Sequence, residues 1–355
     1  MGGKMGVASY AVFRVANALV ILFLVILITA VMMNKYMEDT ILAEIRERVA
    51  NEVFRNPQYI NLSPEEKREL AENLTQYYIR LRGLDRPYII RVLYRAVDAM
   101  SLNFGNAQTL KSASGSTNVA DIVLEALPRT ILLFTTGTII TIIVGILLGL
   151  KAATNVASLL DRAISTFAMF TYALPMWWVG MLFIFYFSYV IEIFPSGGMV
   201  SIPPPEDPIA YALDVLYHLA LPLITFVFVN FGGWSYATRS IVLNVLTEDF
   251  VNTARAKGLP ERKILYGHVL RTASPPIVTS TTLAILGSIG GAIITEAVFN
   301  WPGLGRLFYV AILNGDMPVV LGLTYISTFL YVFAVLVLDF VYMVLDPRVR
   351  VGIRR

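Results

Sequence analysis

The sequence predicts an all-α, polytopic membrane protein with six transmembrane helices and an extracytoplasmic helical insertion after the first span. Three observations carry this. Hydrophobic residues make up 56% of the chain against 15% charged, with a mean hydropathy of +0.66, well outside the soluble range. The charges fall in blocks, leaving uncharged runs of about 20 residues, the length that crosses a bilayer. The basic residues are also unevenly shared among the loops, as in oriented membrane proteins. A net charge of +3 gives no support to a nucleic-acid partner. The chain has no cysteine, which excludes disulfides, thiolate catalysis and cysteine metal sites. Its two histidines, His218 and His268, are far apart in sequence, so no histidine metal centre is expected.

Taken in order, Lys4 and Arg14 precede an apolar run over 15–33. It is too long for a signal-peptide core and lacks a small-residue cleavage site, so it reads as a retained first span; residues 1–33 form the N-terminal segment and this helix. Residues 34–126 are polar and charge-mixed. There Ile41, Ile45, Val49 and Val53 repeat at helical spacing. Ser63-Pro64-Glu65-Glu66 is a capping box with proline at N1, ahead of Leu70, Leu74, Tyr77, Tyr78 and Leu81, and Gly83 stops the helix. A third helix near 87–100 should turn Ile89, Val92, Leu93, Ala96 and Val97 inward. A Ser/Gly/Asn loop follows over 103–118. The five-helix core, 127–345, holds further spans at 129–150, 164–191, 219–236, 277–295 and 319–345, the second of them long enough to break at Pro175. Residues 346–355 form a basic tail.

With the N-terminus inside, the short inside segments hold Lys4, Arg14, Lys151, Arg162, Arg239, Arg255, Lys257, Arg262, Lys263, Arg271, Arg348, Arg350, Arg354 and Arg355, and the short outside loops hold only Arg306. The expected orientation places both termini in the cytoplasm of a plasma-membrane protein and the 34–126 segment outside.

The inside segment 247–276 has further organisation. Thr247 can cap a helix with Glu248 and Asp249 in its first turn, Arg255 and Lys257 suit its last turn, Gly258 is a C′ residue, and Pro260 can open a second helix. A basic loop between spans is commonly an orientation signal and nothing more; a helix–glycine–helix elbow is a surface for a soluble partner to grip. T-A-R-A-K-G-L at 253–259, followed by V-L-R-T-A-S-P-P at 269–276, resembles the EAA loop of ABC-importer permeases. EAVFNWPGLGRL at 296–307, NGDMPVVLG at 314–322, LDPRVR at 345–350 and FPSGG at 194–198 resemble the dipeptide, oligopeptide and nickel branch of that family. The resemblance covers about 120–355 and the first span; the outer segment is longer and more helical than the family pattern.

The resemblance implies a type I importer permease forming half of a translocation pathway. Its partners would be a second homologous permease, two cytoplasmic ATPase subunits, an extracellular solute-binding protein and the lipid bilayer. The solute would be a peptide, with oligosaccharides or a metal chelate as alternatives. No cofactor is expected on this chain, since GNAQTLKS at 105–112 lacks the second glycine of a phosphate-binding loop; ATP and magnesium would sit in the partners, and the chain itself would not be an enzyme. Thr253, Ala254, Arg255, Ala256, Lys257, Gly258, Leu259 and Arg262 would form the coupling surface. Thr135, Thr138, Ser280, Ala284, Gly287, Ser288, Gly291 and Glu296 are candidates to line the pathway. For these small-residue stripes, with their G-x-x-x-G spacings at Gly145/Gly149 and Gly287/Gly291, close helix packing is the competing reading. Glu296 and Asp339 could equally be bundle-internal hydrogen-bond partners; Trp177, Trp178 and Trp234 could line a substrate route, with interfacial anchoring the leading reading. An ion-driven secondary transporter would need paired midplane ionisable groups or inverted repeats, and an intramembrane protease a G-x-S-G or G-x-G-D motif. The sequence has none of these.

Overall fold

A computed structural model describes residues 7–345, and within them the regular structure is helical. The basic tail, Lys4 and most of the LDPRVR motif lie outside the described residues. In chain order the helices are α1 (Val7–Phe54), α2 (Pro64–Leu81), α3 (Tyr88–Met100), α4 (Val119–Thr154), α5 (Leu159–Tyr172), α6 (Met176–Ile184) and α7 (Pro208–Leu246). Then come α8 (Asp249–Ala256), α9 (Glu261–Ile264), α10 (Leu270–Ser288), α11 (Ile293–Val298), α12 (Leu304–Leu313) and α13 (Met317–Leu345). Single π-helical stretches extend α6 over Phe185–Val190 and join α9 to α10 over Leu265–Val269.

Among the described residues, four helices are long and apolar enough to cross a membrane: α1, α4, α7 and α13. The α5–α6 pair makes a fifth if its 97° bend is counted within one span. That bend falls at Pro175, which has an extended ψ of 131° and opens α6. The apolar runs locate these helices but not their ends. No glycine or proline occurs between Val7 and Phe54, so the first span and the helical repeat at Ile41–Val53 form one helix, about 72 Å long at 1.5 Å per residue. Likewise α7 overruns 219–236 at both ends. It starts at an Asp207 N-cap, whose carboxylate accepts from the Ala210 amide at 2.8 Å, with Pro208 at N1. The expected 277–295 span is interrupted instead. α10 stops at Ser288, and Gly291, at φ +69°, turns the chain before α11.

The chain divides into two compact units, Leu124–Val310 with the adjoining terminal stretches, and Ala16–Val123 with Ala311–Phe329. In the second unit, Ile45, Val49 and Val53 of α1 pack on Leu70, Leu74 and Tyr78 of α2. The capping box forms as read: the Glu66 amide donates to Ser63 Oγ at 3.2 Å and the Ser63 amide to Glu66 at 2.7 Å. Gly83, at φ +66°, ends α2 with the Leu84 amide on the Ile79 carbonyl, a Schellman closure. The expectation for α3 is corrected. Val92, Ala96 and Ala99 are buried, but Ile89, Leu93 and Val97 are exposed. Periodicity marked an apolar face without saying what covers it. The 103–118 loop is clasped by Asp316, fully buried, one of whose oxygens accepts from the amides of Gln108, Thr109 and Leu110 at 2.9–3.1 Å and from the Thr109 hydroxyl.

In the first unit, α5, α6 and α10 pack on α7. Asp161, at the start of α5, is buried and ion-paired with Arg239 of α7, and it also accepts from the Ala157 amide at 2.9 Å. This ties the α4–α5 turn to α7.

Candidate functional site

The elbow is built from α8 and α9. Thr247 does not open it. It is the C-cap of α7 (φ −88°, ψ −4°), and its hydroxyl donates back to the Asn244 carbonyl at 2.8 Å. Glu248, with extended backbone, takes the N-cap position of α8, and Asp249 stands in the first turn. The far end follows the sequence reading. Lys257 is the C-cap of α8 and Gly258 has φ +73°. The Gly258 amide reaches the Arg255 carbonyl at 2.9 Å and the Leu259 amide the Ala254 carbonyl at 3.3 Å, both bonds of a Schellman motif. A Cβ at Gly258 would meet no atom within 4 Å. Its requirement is therefore the left-handed backbone, not space. Pro260 is the N-cap of α9.

What makes the elbow stiff is its root. Val251 and Ala254 of α8, Ile264 of α9 and Val269 share one core with Leu150 and Ala153 of α4, Val242 of α7, and Ala273 and Ile277 of α10. Val251, Ile264 and Val269 are completely buried, and each such side chain contributes about 1.5–3 kcal/mol. An ion pair not visible in the sequence also bridges the two helices: Arg255 Nε lies 2.7 Å from Glu261 Oε1. It is solvent-exposed, so it contributes little beside the aliphatic root. Of the candidate coupling residues, Ala254 turns inward and Leu259 is half-buried. Thr253, Arg255, Ala256, Lys257, Gly258 and Arg262 are exposed. Exposed Phe250 and Tyr266 flank them. Beside the elbow is a hollow of about 830 Å³ whose lining includes Thr247, Arg255, Glu261, Arg262 and Tyr266.

Further along α10 lies a cavity of about 360 Å³. Its lining brings together Thr138, Ala284, Gly287, Ser288 and Gly291 from the candidate set, with Phe226, Asn230 and Trp234 of α7, of which only Trp234 is weighed from the sequence as a route residue. Thr135 joins through a 2.8 Å hydrogen bond between its hydroxyl and that of Ser288. Ser280 is exposed and away from the cavity. Trp234 faces the cavity rather than standing apart as an anchor, while Trp178 is exposed and Trp177 half-buried.

Glu296 is not part of that lining. It is fully buried, accepting from the Thr130 hydroxyl and the Arg306 amide, both at 3.1 Å. Thr130 Oγ1 in turn accepts from the Leu304 amide at 2.7 Å. Together they satisfy the open first turn of α12, the ordinary need of a helix N-terminus. Trp301, wholly buried, donates its indole N–H to the Arg129 carbonyl at 2.8 Å, and the Gly198 amide of the FPSGG stretch donates to the Phe299 carbonyl at 2.9 Å. Two motifs distant in sequence therefore close on each other as a buttress. Asp339 has a similarly structural contact, an ion pair with Arg14 at 3.0 Å.

A multi-pass helical bundle with a rooted elbow on one of its walls and a small-residue cavity on the same wall is the design of a membrane transport permease. The chain belongs to the family of binding-protein-dependent transport system inner membrane components, which its residues 142–351 match. It is 32% identical over 274 residues to the oligopeptide transport system permease protein AppB of Bacillus subtilis, covering 77% of this chain and 84% of the relative. A peptide ABC transporter permease of Sinorhizobium fredii is 32% identical over 268 residues, 76% of this chain and 82% of its own. A peptide permease of Brucella suis is 33% identical over 269 residues, with coverage of 76% and 82%.

Proposed function

We propose that this chain is the permease subunit of an ATP-driven importer of di- and oligopeptides, forming half of the translocation pathway. The observation that carries the reading is the continuity of α10. Ala273 and Ile277 are buried in the root of the elbow, and Ala284, Gly287 and Ser288 line the cavity on the same helix. From Ile277 to Gly287 is about 15 Å of helix rise. Pro275 and Pro276 interrupt the hydrogen-bond ladder of α10, but Ile277 beyond them is itself packed in the root, so a push on the elbow reaches the cavity wall through that contact and the proline-free helix that follows it. To take a gate from 1:99 to 99:1 the grip must favour one state by about 5.5 kcal/mol, a load suited to a buried aliphatic root.

In this reading α10 with α11 supplies the sixth membrane passage, and the excess of basic residues places the elbow and both termini in the cytoplasm. The exposed face of Thr253, Arg255, Ala256, Lys257, Gly258 and Arg262 docks on an ATPase subunit, of which two serve this chain and a second homologous permease. Nucleotide and magnesium are bound there, and the chemistry takes place there. The helical segment 34–126 lies outside, where an extracellular solute-binding protein delivers the peptide. The relatives named for peptide transport support the substrate class.

The test is Gly258→Leu in the reconstituted transporter. A side chain at φ +73° costs about 1–2 kcal/mol and distorts only the elbow. Insertion and assembly of the bundle are expected to persist, with peptide uptake lost while ATP hydrolysis continues. Wild-type uptake in this variant would refute the coupling role.

A further inference from the structure

The α3 helix has one covered face and one bare one. Val92, Ala96 and Ala99 are buried, whereas Ile89 is 71% exposed, Leu93 41% and Val97 53%. These three follow one another at i, i+4 and i+8, a single row on the helix surface. Ile90 and Tyr94, also exposed, flank the row.

The depth of this row follows from where α3 touches α1. The apolar run of α1 ends at Met33, and Asn34 begins its polar part. The Tyr88 hydroxyl donates to the Val31 carbonyl at 3.2 Å, Arg95 donates to the Asn34 side chain, and Arg91 pairs with Glu38 at 2.8 Å. All three partners lie within Val31–Glu38, about 10 Å of helix rise, centred where hydrocarbon gives way to a headgroup layer of roughly 5–7 Å. A helix held at that level with a bare aliphatic row has lipid beside it.

The polar flank of α3 carries the matching charge. A cavity of about 420 Å³ is lined by Arg82, Arg86, Arg91, Arg95, Tyr94 and Asp98, among others. Arg86 stacks over the Tyr94 ring, 4.8 Å from its centroid. Arg91 is committed to Glu38, whereas Arg95 donates to the neutral Asn34, to its side chain and its carbonyl, and burial lowers the Arg95 pKa. Four guanidinium groups against Glu38 and Asp98 leave an excess of positive charge at the level of lipid phosphates, and guanidinium groups match phosphate oxygens in pairs.

We propose that α3 is an interfacial helix, its Ile89–Leu93–Val97 row lying among acyl chains and the arginine-walled cavity beside it holding the phosphate of an anionic lipid headgroup. The surface is specific to the segment between the first two spans and does not depend on the importer reading. It is the amphipathic arrangement of a membrane-surface helix, here attached to a spanning one.

The chain has no cysteine, so single reporters are unambiguous. Ile89→Cys, Leu93→Cys and Val97→Cys, with Glu69→Cys on exposed α2 as control, are labelled with an environment-sensitive fluorophore. The full protein, with whatever subunits it retains on extraction, is placed in nanodiscs containing phosphatidylglycerol and phosphatidylcholine. Positions 89, 93 and 97 are expected to be quenched several-fold more by a shallow nitroxide lipid than by iodide, and position 69 the reverse. Iodide quenching of all three would put the row in water. Protection from both quenchers would put a protein partner there. Either result overturns the proposal. For the cavity, mass spectrometry of co-purified lipid should show phosphatidylglycerol enriched over the supplied ratio, and Arg82→Ala/Arg86→Ala should abolish the enrichment. Enrichment unchanged in that variant, or displaced by millimolar inorganic phosphate, would overturn the headgroup assignment.

Discussion

Gly145 and Gly149 on α4 have the same spacing as Gly287 on α10 and Gly291 in the turn beyond it, yet Gly287 sits in surroundings opposite to those of the α4 pair. A Cβ on Gly145 would overlap Trp234 and crowd the Ser235 amide at 3.3 Å, and one on Gly149 would overlap the Ser235 carbonyl and meet Thr238 Cβ at 2.7 Å. There the backbones of α4 and α7 touch. At Gly287 a Cβ would meet nothing within 4 Å, whereas Gly291 is the left-handed turn that ends the expected span, and a Cβ there would meet Glu296 Oε1 at 2.5 Å and Thr130 Cγ2 at 2.7 Å. The difference lies in the partner. α7 presents Ser235 and Thr238, small enough to let a helix approach, whereas α10 faces a cavity. Small residues four apart permit closeness, and only a facing surface of the right shape uses the permission.

The sharpest way to break the comparison is Gly149→Val. Overpacking a close contact costs about 1–3 kcal/mol, and here the obstruction is backbone, which cannot rotate away. The expected result is a marked fall in the melting temperature of the detergent-solubilised chain and lost assembly. Melting at the wild-type temperature would mean that α4 and α7 are not in contact at these glycines. Gly287→Ala should have the opposite sign. Alanine is favoured over glycine within a helix by roughly 0.5–1 kcal/mol, so the fold should be unchanged or slightly more stable, while the new methyl narrows the cavity and slows peptide uptake. If uptake stayed at the wild-type rate, the cavity would not be on the solute's route.

The same contrast explains what was legible in advance. Apolar runs found α1, α4, α7 and α13 because a bilayer demands uninterrupted hydrophobicity. They could not find the ends of these helices, because a helix leaves the membrane with its backbone bonds intact and its end is set by a local signal such as the Asp207 N-cap. The Ser63–Glu66 box and the Gly83 and Gly258 stops were legible since each is decided within five residues. Asp316 was not, because its partners at 108–110 lie two hundred positions away. Glu296 was chosen from the sequence for its position at the edge of a span, and only the fold shows that its carboxylate is spent on Thr130 and the first turn of α12. For α3 the pattern gave the apolar face but not its neighbour.

The smallest expected effect concerns Arg255, chosen from the sequence as a docking cation and found bonded to Glu261 of the same elbow. Glu261→Gln keeps the size of the side chain and releases the guanidinium. Because the pair is exposed and the elbow is held by Val251, Ile264 and Val269, stability at neutral pH should scarcely change. Arg255 holds the Glu261 carboxyl below its ordinary 4.5. A carboxylate whose pKa is depressed by folding stabilises the fold above its unfolded value, and that contribution is lost as pH falls through the folded value. Any difference in melting temperature between wild type and variant should therefore be present near pH 7 and disappear as pH falls through the folded carboxyl's own value, below 4.5. Docking is the more telling measurement. If Arg255 reaches an acidic group on the proposed ATPase subunit, Glu261 competes for it, and the variant should bind that subunit a few-fold more tightly at low salt, with the gain disappearing as salt rises. Weaker binding would instead make the Arg255–Glu261 pair itself the docked surface, and the rigid angle between α8 and α9 the feature that the motor reads.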